Sequence, residues 1–279
     1  MKNSLCISTS GLFLSSLRYI DKRLEPFKKS GAVTTKTSNH DGRNCLYIAF
    51  NAFKGGLSAR NRQTDANAPH EIASHIIDAI ADIVITDCKF HYIESSLHLP
   101  IDNEFNRHAF IRALTGFDRA TDKSIAKSLI NLTPTFLLDS FYTFSLDTLK
   151  VRWQEVCVLA NDNACFLVCD GTFRELLRFL ISNLESSCTE VHLFGRDGGV
   201  EVLTRALKPV NVYVNDELSA DAQVVSKLIA IAPKRIFLHS PPKTHTNGHC
   251  EERSDEAIQP RVFDFIQNLF GSCVQVVQS

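Results

Sequence analysis

The chain has 279 residues, with 30 basic against 31 acidic side chains and a formal net charge of −1. Hydrophobic residues at 44% and charged residues at 22% are ordinary globular usage and exclude a disordered chain. A balanced charge gives no footprint for bulk nucleic-acid binding, and no apolar run approaches the ~18–20 residues of a membrane helix.

The N-terminus, Met1-Lys2-Asn3-Ser4-Leu5-Cys6-Ile7, has one Lys before a short apolar stretch. A signal peptide needs a longer apolar region and a small-residue cleavage site, and neither is evident. The expectation is a cytoplasmic protein. Nine cysteines, several set among Val, Leu, Ile and Phe, then read as reduced core thiols rather than a disulfide framework.

Residues 3–9 predict a strand, 11–24 an amphipathic helix, and Cys45–Phe50 a second strand after a polar stretch from Ser30 to Asn44. Residues 1–53 therefore form a small α/β unit, and 54–70 is rich in Gly, Asn and Arg, the mark of a linker or loop. Residues 71–186 read as helical. Ile72, Ile76, Ile80 and Ile83 recur at helical spacing, as do Leu146, Leu149, Trp153, Val156 and Ala160. Shorter helices are expected over 104–114 and 122–132, and Thr172-x-x-Glu175 forms a capping box ahead of Phe173, Leu177, Leu180 and Leu184.

The period changes over 187–279, the C-terminal α/β unit. Val191–Phe194 and Val200–Leu203 flank Gly195-Arg196-Asp197-Gly198-Gly199, a hairpin signal. A strand over 210–214, a helix capped by Ser219 and stopped at Pro233, a short buried strand Arg235–His239, a helix ending near Gly271 and a strand over 273–277 complete it. The fold class expected is α/β, α+β overall: an N-terminal α/β unit, a helical middle and a C-terminal α/β layer with a hairpin. The polar run 243–259 interrupts this order. Its His249-Cys250-Glu251-Glu252-Arg253-Ser254-Asp255-Glu256-Ala257-Ile258 resembles a translated genomic repeat, a surface insertion that costs little because closure entropy grows only logarithmically.

Residues able to carry chemistry are few. Cys165-x-x-x-Cys169 encloses Phe166, Leu167 and Val168, unlike the polar knuckles of zinc sites. His75, Asp78 and Asp82 share a helix face without a second ligand set and read as solvated charge. No phosphate loop, nucleophile elbow or His-Glu-x-x-His occurs. Two candidates remain: His239 at a strand end, where α/β folds place ligands, and the basic trio Lys54, Arg60 and Arg62 for nucleic acid. No catalytic residue, metal ligand or cofactor is expected.

From about Glu71 onward, three stretches carry a family resemblance: Phe141-Tyr142-Thr143-Phe144-Ser145-Leu146, Phe173–Leu180 followed by Glu190-Val191-His192, and Leu228-Ile229-Ala230-Ile231-Ala232-Pro233-Lys234-Arg235-Ile236-Phe237-Leu238-His239. Their order and spacing, with the closing Phe270-Gly271-x-x-Val274, resemble the YtxC-type sporulation proteins. Ser145 stands where that family usually has Arg, and 243–259 splits its last unit. The resemblance implies a part in sporulation and no defined reaction. The function expected is that of an accessory or regulatory protein acting through a protein partner, with a small-ligand binder or enzyme and a nucleic-acid-binding factor as alternatives.

Overall fold

The computed structural model describes residues 4–11, 13–51, 68–98, 100–101, 103–164, 170–196, 199–210, 212, 214, 218–239 and 258–277. The chain is mixed α/β, and its contacts divide it into two units: Met1–His91 with Ala120–Trp153, and Tyr92–Arg119 with Gln154–Ser279. The helical middle read from the sequence is thus shared between them, 71–91 and 120–153 falling in the first and 92–119 and 154–186 in the second.

The first unit is built on a four-stranded mixed sheet of order β2-β3-β1-β4, comprising β1 (Ser4–Thr9), β2 (Val33–His40), β3 (Arg43–Phe50) and β4 (Thr135–Leu137). β1 pairs antiparallel with β3 and parallel with β4. Leu5 and Ile7 alternate with Cys6 and lie opposite Ile48 and Leu46, all four buried, so one sheet face enters the core. Helix α1 (Leu14–Arg23) adds Leu17 and Ile20 to that core, and α2 (Glu25–Lys29) follows at once. Helix α3 (Ala68–Ile83) runs through a π-helical turn (Val84–Cys88) into α4 (Lys89–Ser96), with Ile72, Ile76, Ile80 and Ile83 buried as the sequence stripe requires.

Most of the polar stretch before Asn44 is strand β2, Val33–His40, which periodicity did not mark. Asp41 and Gly42 have φ of 50° and 73°, the paired positive φ of a type I′ turn, and they join β2 to β3. Helix α6 (Arg119–Leu129) and α7 (Leu138–Phe144) complete the unit with the first residues of α8 (Asp147–Asp162). Asp78 and Asp82 are not solvated charges. Asp78 pairs with Arg23, Lys123 and Lys127 at 3.1, 3.1 and 2.6 Å, and Asp82 with Lys123 at 2.7 Å and the Tyr19 hydroxyl at 3.0 Å. Burial pushes the Asp78 carboxyl up, but Lys127 and Lys123 outweigh it and hold the group below the usual carboxylate range. His75 meets the Phe27 ring edge at 5.0 Å, a packing role.

The second unit carries a four-stranded mixed sheet of order β6-β5-β7-β8, comprising β5 (Glu190–Arg196), β6 (Gly199–Thr204), β7 (Arg235–His239) and β8 (Val274–Val277). β5 and β6 form the expected antiparallel hairpin, whose tip, Asp197-Gly198, lies outside the described residues. β5, β7 and β8 run parallel. Helix α5 (Glu104–Thr115), with its Asn103 cap, packs on α10 (Ala220–Ile231), whose cap Ser219 accepts from the Ala222 N–H at 3.3 Å. Ala232 (φ 41°) ends α10 before Pro233, as the proline predicts. Helix α9 (Asp170–Ser182) starts two residues before Thr172, so the predicted capping box lies inside its first turn. α11 (Ile258–Phe270) closes at Gly271, φ 53°, the left-handed position expected there.

Of the strand expected over 210–214, Val210, Val212 and Val214 are in no strand, and Asn211 and Tyr213 lie outside the described residues; just before it a single bridge pairs Leu203 with Pro209. A tight turn from Thr204 to Lys208, with Leu207 at φ 55°, folds the chain back, and Pro209 has no N–H to extend a ladder. Cys6, Cys45, Cys88, Cys157, Cys188 and Cys273 are free thiols, and Cys165 and Cys169 lie outside the described residues. No described helix is long and apolar enough to cross a membrane.

Candidate functional site on the C-terminal sheet

Strand periodicity assigns the faces of β5 and β7. Val191, Leu193, Ile236 and Leu238 are at most 1% exposed and face the core. Glu190, His192 and Phe194 alternate with them on β5, and Arg235, Phe237 and His239 on β7. β7 is therefore half-buried rather than buried throughout, which corrects the reading from sequence. Parallel pairing sets Glu190 beside Arg235, His192 beside Phe237, and Phe194 beside His239. The result is three short rows on one face of the sheet.

The rows are tied by a line of polar contacts. Arg235 donates to Glu190 Oε2 at 2.7 Å, and Glu190 Oε1 lies 3.1 Å from His192 Nε2. His192 Nδ1 lies 2.9 Å from Nε2 of His239, a diagonal step between rows. Neighbouring strands stand ~4.8 Å apart, so their flat side chains stack side by side. Phe194 and His239 stack with centroids 4.2 Å apart and planes 8° from parallel; His192 and Phe237 do so at 5.0 Å and 15°. Stacking fixes both imidazole planes, and the hydrogen bonds fix their in-plane rotation. Neither ring is free to turn.

Glu190 and His192 have side chains 12% and 18% exposed, whereas Arg235 is 54% exposed at the other end of the line. Burial, followed by the neighbouring His192, lowers the His239 pKa below its ordinary value, which favours a neutral ring at pH 7. His239 is the last residue of β7, at the carboxyl edge of the parallel strands, where open α/β sheets bind ligands. A neutral imidazole held there can accept or donate one hydrogen bond, or take up a proton.

Of the residues singled out from sequence, His239 lies in this line; His192 and Glu190, which were not candidate site residues, lie in it too. The signal was the alternation Glu-x-His-x-Phe and Arg-x-Phe-x-His; only the strand register shows that the two face the same way. Lys54, Arg60 and Arg62 lie outside the described residues, as does 243–257 of the 243–259 segment, whose last two residues, Ile258 and Gln259, open α11. Among the described residues no group of three or more His, Cys, Asp or Glu is arranged to hold a metal ion. A cleft of about 360 Å³ lined by Phe173, Arg174, Leu177, Asp264, Phe265 and Leu269 contains no member of the histidine line. No family model, curated protein or solved structure matches the chain.

Proposed function

We propose that the chain is a ligand-binding regulatory protein whose ligand seats at the carboxyl edge of β5 and β7 against His239. The line Arg235–Glu190–His192–His239 supports this reading above all else. Packing alone would place apolar side chains at these half-buried positions, because part-buried polar groups cost free energy unless each is satisfied. Four linked polar groups ending at a strand terminus fit a role in recognition better than one in scaffolding. The resemblance to YtxC-type proteins supports a part in sporulation.

A second reading, an accessory protein that works by contact with a protein partner, is favoured by exposed apolar side chains. Val158 and Leu159 on α8 are 45% and 66% exposed, and Phe179 on α9 is 64% exposed. Hydrophobic side chains left in water at this level suit a partner surface. Nucleic-acid binding through Lys54, Arg60 and Arg62 has only the basic residue types of that segment in its favour.

Spore yield in cells carrying variants in place of the native copy separates the first two readings. The ligand reading expects His239→Ala to lower yield at least tenfold at normal protein level, with Val158→Ser/Leu159→Ser/Phe179→Ser close to wild type. The reverse pattern would favour the partner surface.

A further inference from the structure

We infer that Glu190 is a positioning residue that sets the tautomer of His239 through His192, leaving Nδ1 of His239 as a hydrogen-bond acceptor facing the ligand. The inference deepens the ligand reading and takes its functional meaning from it, but its chemistry stands on the line itself. An ionised carboxylate has only acceptors. Glu190 Oε1, 3.1 Å from His192 Nε2, therefore requires the proton on that nitrogen. A neutral His192 then has a bare Nδ1, which can only accept. At 2.9 Å from it, Nε2 of His239 must be the donor. A neutral His239 with its proton on Nε2 has a lone pair on Nδ1, so the carboxylate fixes an atom two rings away.

Arg235 makes the assignment testable. It donates to Glu190 Oε2 at 2.7 Å and so demands an acceptor at that position. In Glu190→Gln the amide oxygen would be drawn to the arginine, which turns the NH2 group toward His192. That amide donates where the carboxylate accepted. His192 must then present a bare Nε2 and carry its proton on Nδ1, and His239 must accept at Nε2 and carry its proton on Nδ1. One atom exchanged in residue 190 inverts both rings. The site changes from one that receives a ligand N–H or O–H to one that offers its own.

The test is imidazole nitrogen NMR on the full-length protein at about pH 8, above the ordinary imidazole pKa of ~6.5. In the wild type, His192 and His239 should both show protonated Nε2 and bare Nδ1. Glu190→Gln should show both protonated at Nδ1, and His192→Phe should leave His239 as a mixture. A wild-type His239 protonated at Nδ1, or an unchanged tautomer in folded Glu190→Gln, overturns the inference. Should Glu190→Gln fail to fold, the wild-type tautomer still decides it. A correct tautomer in a protein that binds nothing at this edge would uphold the relay and defeat the ligand reading.

Discussion

Asp122 is only 1% exposed, yet it accepts from Lys89 Nζ at 2.8 Å, Trp153 Nε1 at 3.0 Å and Arg152 Nε at 3.1 Å. Lys89 is also 1% exposed, so removing the carboxylate takes from a buried ammonium the ion pair it makes at 2.8 Å. Asp122→Ala should cost about 3–5 kcal/mol in urea unfolding, the penalty of breaking a buried pair. A cost below about 1 kcal/mol would mean that water reaches the lysine. His108 offers a pH test. Its Nε2 lies 3.0 Å from Ser226 Oγ, and burial, helped by Arg112, depresses its pKa to about 4. Between about pH 6.5 and 4 the unfolded chain binds a proton that the folded one refuses, so stability falls as pH falls. From pH 7 to 5 the loss from this ring is about 1 kcal/mol after discounting for partial exposure, and His108→Gln should remove that part of the slope. At this scale Trp153 and Leu149 were legible from sequence as core, being 1% and 0% exposed. Lys89 and Asp122 were not. Their partnership joins α4 to α6, and no local pattern records it.

Helices with long apolar stripes were the legible elements. The 145–160 stripe became Asp147–Asp162, and the Ile stripe became Ala68–Ile83. Strands with one wet face were harder, because Val33–His40 has a single buried residue, Val33, and so lacks an apolar run. Its turn did carry a signal, Asp41-Gly42, of the same kind as the Asp197-Gly198 between the antiparallel strands β5 and β6. With Gly42 at φ 73°, Gly42→Ala should destabilise by about 1 kcal/mol in thermal or urea unfolding. An unchanged midpoint would mean that the turn is not type I′. Ser219→Ala should likewise cost about 1 kcal/mol through loss of the α10 cap. The histidine line was half legible for the same reason as β2. Residue order places His239 at a strand end, but a parallel register between β5 and β7 brings to it His192, 47 residues away in sequence.

On the scale of the whole molecule, the chain passes between its two units at 91/92, 119/120 and 153/154. Sequence periodicity marks changes of secondary structure, and those fall at different places from changes of packing. Residues 187–279 look self-contained in sequence, yet α10 packs on α5, which comes from 104–115. Ala109, Phe110 and Ile111 on α5 and Val224, Val225 and Leu228 on α10 are all at most 3% exposed. A fragment of residues 187–279 should therefore expose much of α10 and show neither a dispersed amide spectrum nor a cooperative transition. Cooperative unfolding of that fragment would establish it as an independent domain.

Binding at the carboxyl edge of β5 and β7 is most directly measured by titrating a fragment library into isotope-labelled full-length protein and mapping the shifted resonances. The expected result is a set of N–H- or O–H-bearing fragments that move the His239 and Phe194 signals and bind His239→Ala at least tenfold more weakly. Fragments that gather only in the Phe173–Phe265 cleft, or that bind His239→Ala as well as wild type, would contradict it.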